Sequence, residues 1–130
     1  DIAWELYMDW QVVFGDEFDA EFGELPEAVQ DELLASAKLL AVFGPKLSRP
    51  HADTLKDSAF ANMKELRFEA DGGVWRVAFA FDPERKAILL VAGDKSGGSE
   101  KRFYKSLIAK ADRRFRAHLD RLKAAKKGKA

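Results

Sequence analysis

Residues 63–92 read MKELRFEADGGVWRVAFAFDPERKAILLVA, and this stretch decides the fold. Residues 63–69 alternate, with Leu66 and Phe68 on one face and Glu65 and Arg67 on the other. Asp71-Gly72-Gly73 is a turn signal, because both turn positions of a tight hairpin need positive φ. Residues 74–81 alternate again: Trp75, Val77, Phe79 and Phe81 predict the core face, and Arg76, Ala78 and Ala80 the opposite one. Asp82-Pro83 opens a second turn, and Ala87 to Ala92 is apolar throughout, the pattern of a strand covered on both faces.

Working outward, Trp10-Gln11-Val12-Val13-Phe14 predicts a short strand ending at Gly15, with Asp16 as the N-cap of a first helix. Leu25-Pro26 breaks that helix, and Pro26 suits the first position of a second. This one carries Val29, Leu33, Leu34, Ala37, Leu40 and Ala41 as an apolar stripe and stops at Gly44-Pro45. Residues 45–62 read as a loop. After a glycine-rich connector, Ser99 can cap a last helix whose apolar side is Phe103, Leu107, Ala111, Phe115, Leu119 and Leu122. The tail KAAKKGKA, 123–130, lacks an apolar stripe and is expected to fray. The expectation is an α+β domain of order β-α-α-β-β-β-α over 1–130, with its core at about 10–122. It has a small mainly antiparallel sheet, two N-terminal helices and a C-terminal helix.

Composition narrows the chemistry. In 130 residues, 47% hydrophobic, there is no cysteine and there are two histidines, His51 and His118. Disulfides, cysteine-zinc sites and thiol nucleophiles are excluded, and neither a metal nor another cofactor is expected. No apolar run reaches the roughly 18 residues of a membrane span, and DIAWELYMDW lacks the pattern of a secretory signal, so a cytoplasmic protein without membrane contact is expected. Net charge is zero, yet residues 1–48 sum to −9 and residues 49–130 to +9. That asymmetry predicts a basic surface able to meet a polyanion, against the alternative of ordinary solvated helix faces.

If the two central strands pair, Glu65, Arg67 and Arg76 project from one side beside small alanines. Guanidinium forks match phosphate oxygens, so this is a candidate phosphate site; the alternative is a solvent-exposed sheet face with a Glu–Arg cross-strand pair. Lys95 follows the last strand, Tyr104 sits among Lys101, Arg102 and Lys105, and the loop supplies Arg49, His51 and Lys56. Walker, dinucleotide, zincin and serine-hydrolase motifs are absent.

The order of elements, together with Leu55-Lys56, Lys64-Glu65-Leu66-Arg67, Val74-Trp75-Arg76-Val77 and Ile88-Leu89-Leu90-Val91 running into Asp94-Lys95, resembles the RelE/HigB toxin superfamily in its phage-derived HigB-like branch. The resemblance covers roughly residues 10–120. It implies the toxin of a type II toxin–antitoxin pair, a ribosome-dependent mRNA endonuclease that inhibits translation by metal-free attack of a ribose 2′-OH. It further implies Arg67, Arg76, Lys95, Tyr104 and Glu65 as catalytic residues, and Arg49, His51, Lys56, Lys64, Lys101, Arg102 and Lys105 as RNA contacts. The partners it implies are the ribosome, mRNA and a cognate antitoxin with a helix-turn-helix domain. A ParE-like gyrase inhibitor or a non-cleaving RNA- or protein-docking module is the competing reading.

Overall fold

The computed structural model describes residues 10–128. Its elements are β1 (Gln11–Phe14), α1 (Asp16–Gly23), α2 (Glu27–Phe43), β2 (Ala52–Thr54), β3 (Met63–Ala70), β4 (Gly73–Phe81), β5 (Lys86–Asp94) and α3 (Glu100–Gly128). The strands form one mixed sheet in the order β1-β5-β4-β3-β2, with β1 parallel to β5 and all other pairs antiparallel.

The expected α+β order is present, with one addition. Residues 45–62, expected to be a loop, contain a 3-10 turn at Gly44–Lys46 and the edge strand β2, which pairs with β3 through Ala52↔Leu66 and Thr54↔Lys64. Three residues are too few to show a period, so β2 exists because β3 offers it a hydrogen-bonding edge. Two caps also shift: Gly15, not Asp16, is the N-cap of α1, and Pro26 precedes α2, which begins at Glu27. Helical backbone in α3 continues past Leu122 to Gly128. The β3–β4 turn is as read, with Asp71 and Gly72 at φ 51° and 73°.

Helices cover both faces of the sheet. Against one face, Phe18 of α1 and Leu33 and Leu40 of α2 pack on Leu66, Val77, Phe79, Ala87 and Leu89. Against the other, Leu107, Ile108, Ala111 and Phe115 of α3 pack on Met63, Ala78, Ala80, Ile88, Leu90 and Val91. Each fully buried Leu or Phe contributes about 1.5–3 kcal/mol, so the two layers together hold the sheet between them. A bulge between Ala78 and Phe79 sets Ala78 opposite Val91 but Phe79 opposite Leu89, which turns both Leu90 and Val91 toward α3.

The face bearing Ala78 and Ala80 is therefore not open to solvent or to a ligand. Their small side chains make room for α3 instead. Gly93 does the same at the end of β5, where a Cβ would stand 2.8 Å from the Phe103 ring.

Candidate functional site

The register sets the site. Arg67 pairs with Arg76 across β3 and β4, and Glu65, two residues before Arg67, shares their α3-facing side. Tyr104, in the second turn of α3, closes over them. This corrects the expectation of an exposed sheet face: Glu65 is only 3% exposed and Arg76 only 5%.

The hydrogen bonds run in one sense, because a guanidinium only donates and a carboxylate only accepts. Arg76 Nε donates to the Tyr104 hydroxyl at 3.1 Å, and that hydroxyl donates to Glu65 Oε1 at 2.9 Å. Arg67 Nη1 donates to Glu65 Oε2 at 2.7 Å. Arg76 Nη1 donates to the Trp75 carbonyl, and its Nε lies 3.7 Å from Glu65 Oε1. Two guanidiniums thus share one carboxylate, leaving a net positive cluster. Burial, reinforced by the bond to Glu65, pushes the Tyr104 hydroxyl above its ordinary value, so it stays protonated at neutral pH.

The cluster opens onto a groove of about 1010 Å³ whose floor is Glu65, Arg67 and Tyr104. One wall comes from β2 and the segments on either side of it, with Arg49, Asp53 and Lys56; the other from α3, with Lys101, Lys105, Ile108 and Asp112. Arg67, one-fifth exposed, is the guanidinium that reaches it. Arg49 grips Asp53 at 2.8 Å, and the Thr54 amide followed by Arg49 holds that carboxyl below its usual range. Asp112 accepts from the Ser58 hydroxyl and from the Ala59 amide, which ties the loop carrying Lys56 to α3.

The structure brings together Glu65, Arg67, Arg76 and Tyr104, with Arg49, Lys56, Lys101 and Lys105 around them. Lys95 stands aside, bound to Glu100 at 2.6 Å, and meets the groove only through that carboxylate, which it holds below the usual range. Lys64 turns toward α2 and donates to the Pro45 carbonyl. Arg102 lines a separate hollow beside the β5–α3 connector, and His51 lines a second groove beside α2. Asp53, Glu100 and Asp112 escaped the sequence reading. The spacing of Tyr104, Ile108 and Asp112, four apart, was the available signal that they share one helix face.

The charge split is partly consumed inside the molecule. Arg114 of α3 grips Glu21 of α1 through two bonds of 2.7 Å and also donates to the Leu90 carbonyl. Arg121 reaches Asp16 at 3.1 Å and Glu17 at 3.6 Å. Asp16, Glu17 and Glu21, three of the four acids of α1, are thus counter-ions for the basic helix.

Comparison with known proteins places this geometry in a family. The model of the phage-derived Gp49-like protein family (DUF891) matches residues 20–116. A Mycobacterium tuberculosis protein named "Putative toxin HigB3" is 53% identical over 76 residues, covering 58% of this chain and 64% of that protein. Another from the same organism, "Putative toxin HigB2", is 42% identical over 88 residues, covering 67% of this chain and 43% of that protein. The chain thus spans less than two thirds of the length of either relative. No solved structure is a significant match. The match runs from within α1 to within α3 and takes in every residue of the cluster, and this chain belongs to the phage-derived Gp49-like family.

Proposed function

We propose that this protein is the toxin of a type II toxin–antitoxin pair and that it cleaves mRNA on the ribosome. The observation that carries the reading is the Glu65–Arg67–Arg76–Tyr104 cluster, net positive and opening onto a groove flanked by lysines. The names of the two relatives support the toxin assignment.

In this reaction the ribose 2′-OH attacks the adjacent phosphorus and the P–O5′ bond breaks. The products are a 2′,3′-cyclic phosphate and a 5′-OH. The Arg67 guanidinium meets the non-bridging oxygens as negative charge builds there. Glu65 fixes the angle of Arg67, Tyr104 fixes Glu65, and Arg76 anchors Tyr104, so these three are positioning residues. Arg49, Lys56, Lys101 and Lys105 hold the flanking backbone phosphates. Both Glu65 oxygens already accept bonds from Arg67 and Tyr104, which suits the carboxylate to positioning them. The groove supplies orientation and charge, and proton transfer falls to water or to groups brought by the ribosomal site.

Mapping mRNA 5′ ends in a purified translation system tests this. Wild-type protein is expected to produce ribosome-dependent cuts, and Arg67→Ala to lose about 10²–10³ in rate while remaining folded, since Arg67 lies at the groove surface. Full activity in that variant removes the cluster from the reaction. Intact mRNA with folded wild-type protein overturns cleavage and turns attention to gyrase supercoiling.

A further inference from the structure

A second groove, of about 460 Å³, lies on the opposite side of β3 and β4, between them and α2. Its floor is apolar, with Leu39, Phe68 and Val74. Glu32 and Glu69 stand at its rim, exposed and without an ion pair among the described residues. Ser36, a residue 7% exposed, lines it from α2. Arg67 and Arg76 border the groove as well, but their guanidiniums turn to the other face, where Glu65 and Tyr104 hold them. The charge this groove offers is therefore negative. The contrast with α1 is informative: three of its four acids, Asp16, Glu17 and Glu21, are matched by Arg114 or Arg121, while Glu27, Asp31 and Glu32 of α2 have no such partner among the described residues.

An apolar floor and an unmatched acidic rim fit one kind of occupant, a peptide segment with an apolar side chain flanked by Lys or Arg. We infer that the cognate antitoxin docks here with such a segment. It thereby grips the toxin from behind the sheet and leaves the Arg67 groove uncovered. This inference rests on the toxin–antitoxin reading above and is independent of RNA cleavage.

The test is calorimetric titration of purified wild-type and variant toxin with the antitoxin encoded beside it. Glu32→Lys places a like charge against the basic segment, and Ala35→Trp fills the groove from an exposed helix position. Each is expected to weaken binding by at least about tenfold, because like charges and steric blocks at an interface cost several kcal/mol. Asp120→Lys makes the same charge change on the exposed side of α3 and is expected to bind within about twofold of wild type. Wild-type affinity in both groove variants overturns the docking site. Amide protection by the antitoxin confined to 101–112, with none at 32–39, overturns it too. A wild-type protein that binds no antitoxin overturns the pairing on which the inference stands.

Discussion

Replacing Tyr104 by Phe removes one oxygen atom and disturbs two charged groups. The hydroxyl is the acceptor for Arg76 Nε and the donor to Glu65 Oε1. Without it, Arg76 Nε has no acceptor closer than Glu65 Oε1 at 3.7 Å, and that oxygen has lost its donor. Hydrogen bonds to charged partners are worth about 1.5–3 kcal/mol each, and a buried group left unsatisfied costs about 1–3 kcal/mol. A shift of Arg76 toward Glu65 recovers part of this by shortening the 3.7 Å contact. The net expectation is a loss of about 2–4 kcal/mol, a large share of the roughly 5–15 kcal/mol by which such domains are stable. Urea unfolding of wild type, Tyr104→Phe, Glu65→Gln and the double variant measures it, with unchanged slope marking a change in stability alone. The cycle should show the two changes coupled, with the double variant losing less than the sum of the singles. A single-variant loss below about 0.5 kcal/mol, with additive effects, would refute the view that this cluster is a closed, desolvated network.

Three further outcomes follow from other contacts. Arg114→Met removes both bonds to Glu21 and one to the Leu90 carbonyl, with an expected loss of about 1–3 kcal/mol in urea unfolding. The Arg114 hydrogen bond holds the Glu21 carboxyl below its ordinary range, so its stabilisation is present at neutral pH and fades as pH falls through the carboxylate range; the acid-side decline in stability should be shallower in Arg114→Met, and an unchanged slope would count against the pair. The raised Tyr104 hydroxyl has the opposite sign: its stabilisation is complete below the ordinary tyrosine value and is lost as pH rises through the folded one. In Tyr7→Phe, where Tyr104 is the remaining tyrosine, absorbance titration should lie above about 10, the model-peptide value, and a midpoint at or below it would refute the burial argument. Asp112→Ala releases the Ala59 amide and the Ser58 hydroxyl from α3, so amide exchange at Ala59 should accelerate while that of β4 stays slow.

Much of the architecture was legible because local chemistry agreed with the fold. Asp71-Gly72 has no competing reading between two alternating runs, and the apolar run from Ala87 to Val91 required cover on both faces. Gly44 ended α2, and Ser99 capped α3, its hydroxyl accepting from the Arg102 amide. What failed were judgements about which side was free. The alternation put Arg76, Ala78 and Ala80 together, but nothing in a period-two pattern says whether the second face meets water or a helix. The 29-residue α3 is apolar on one side, and only packing decides where that side lands.

The sequence by itself determined every element but β2 and the 3-10 turn, their order, the β3–β4 turn and the presence of two arginines and a glutamate on one face of the hairpin. These depend on residue period, turn stereochemistry and backbone freedom, all local quantities. Tertiary structure decided everything that depends on what lies across a gap. It buried Glu65 and Arg76 under Tyr104, and it spent three of the four acids of α1 on Arg114 and Arg121. It also gave β2 an edge to pair with, and it sent Lys64, Lys95, Arg102 and His51 away from the groove. A side chain's charge is written in the chain, but its dielectric surroundings and its partners are set by contacts among residues as far apart in sequence as Asp16 and Arg121.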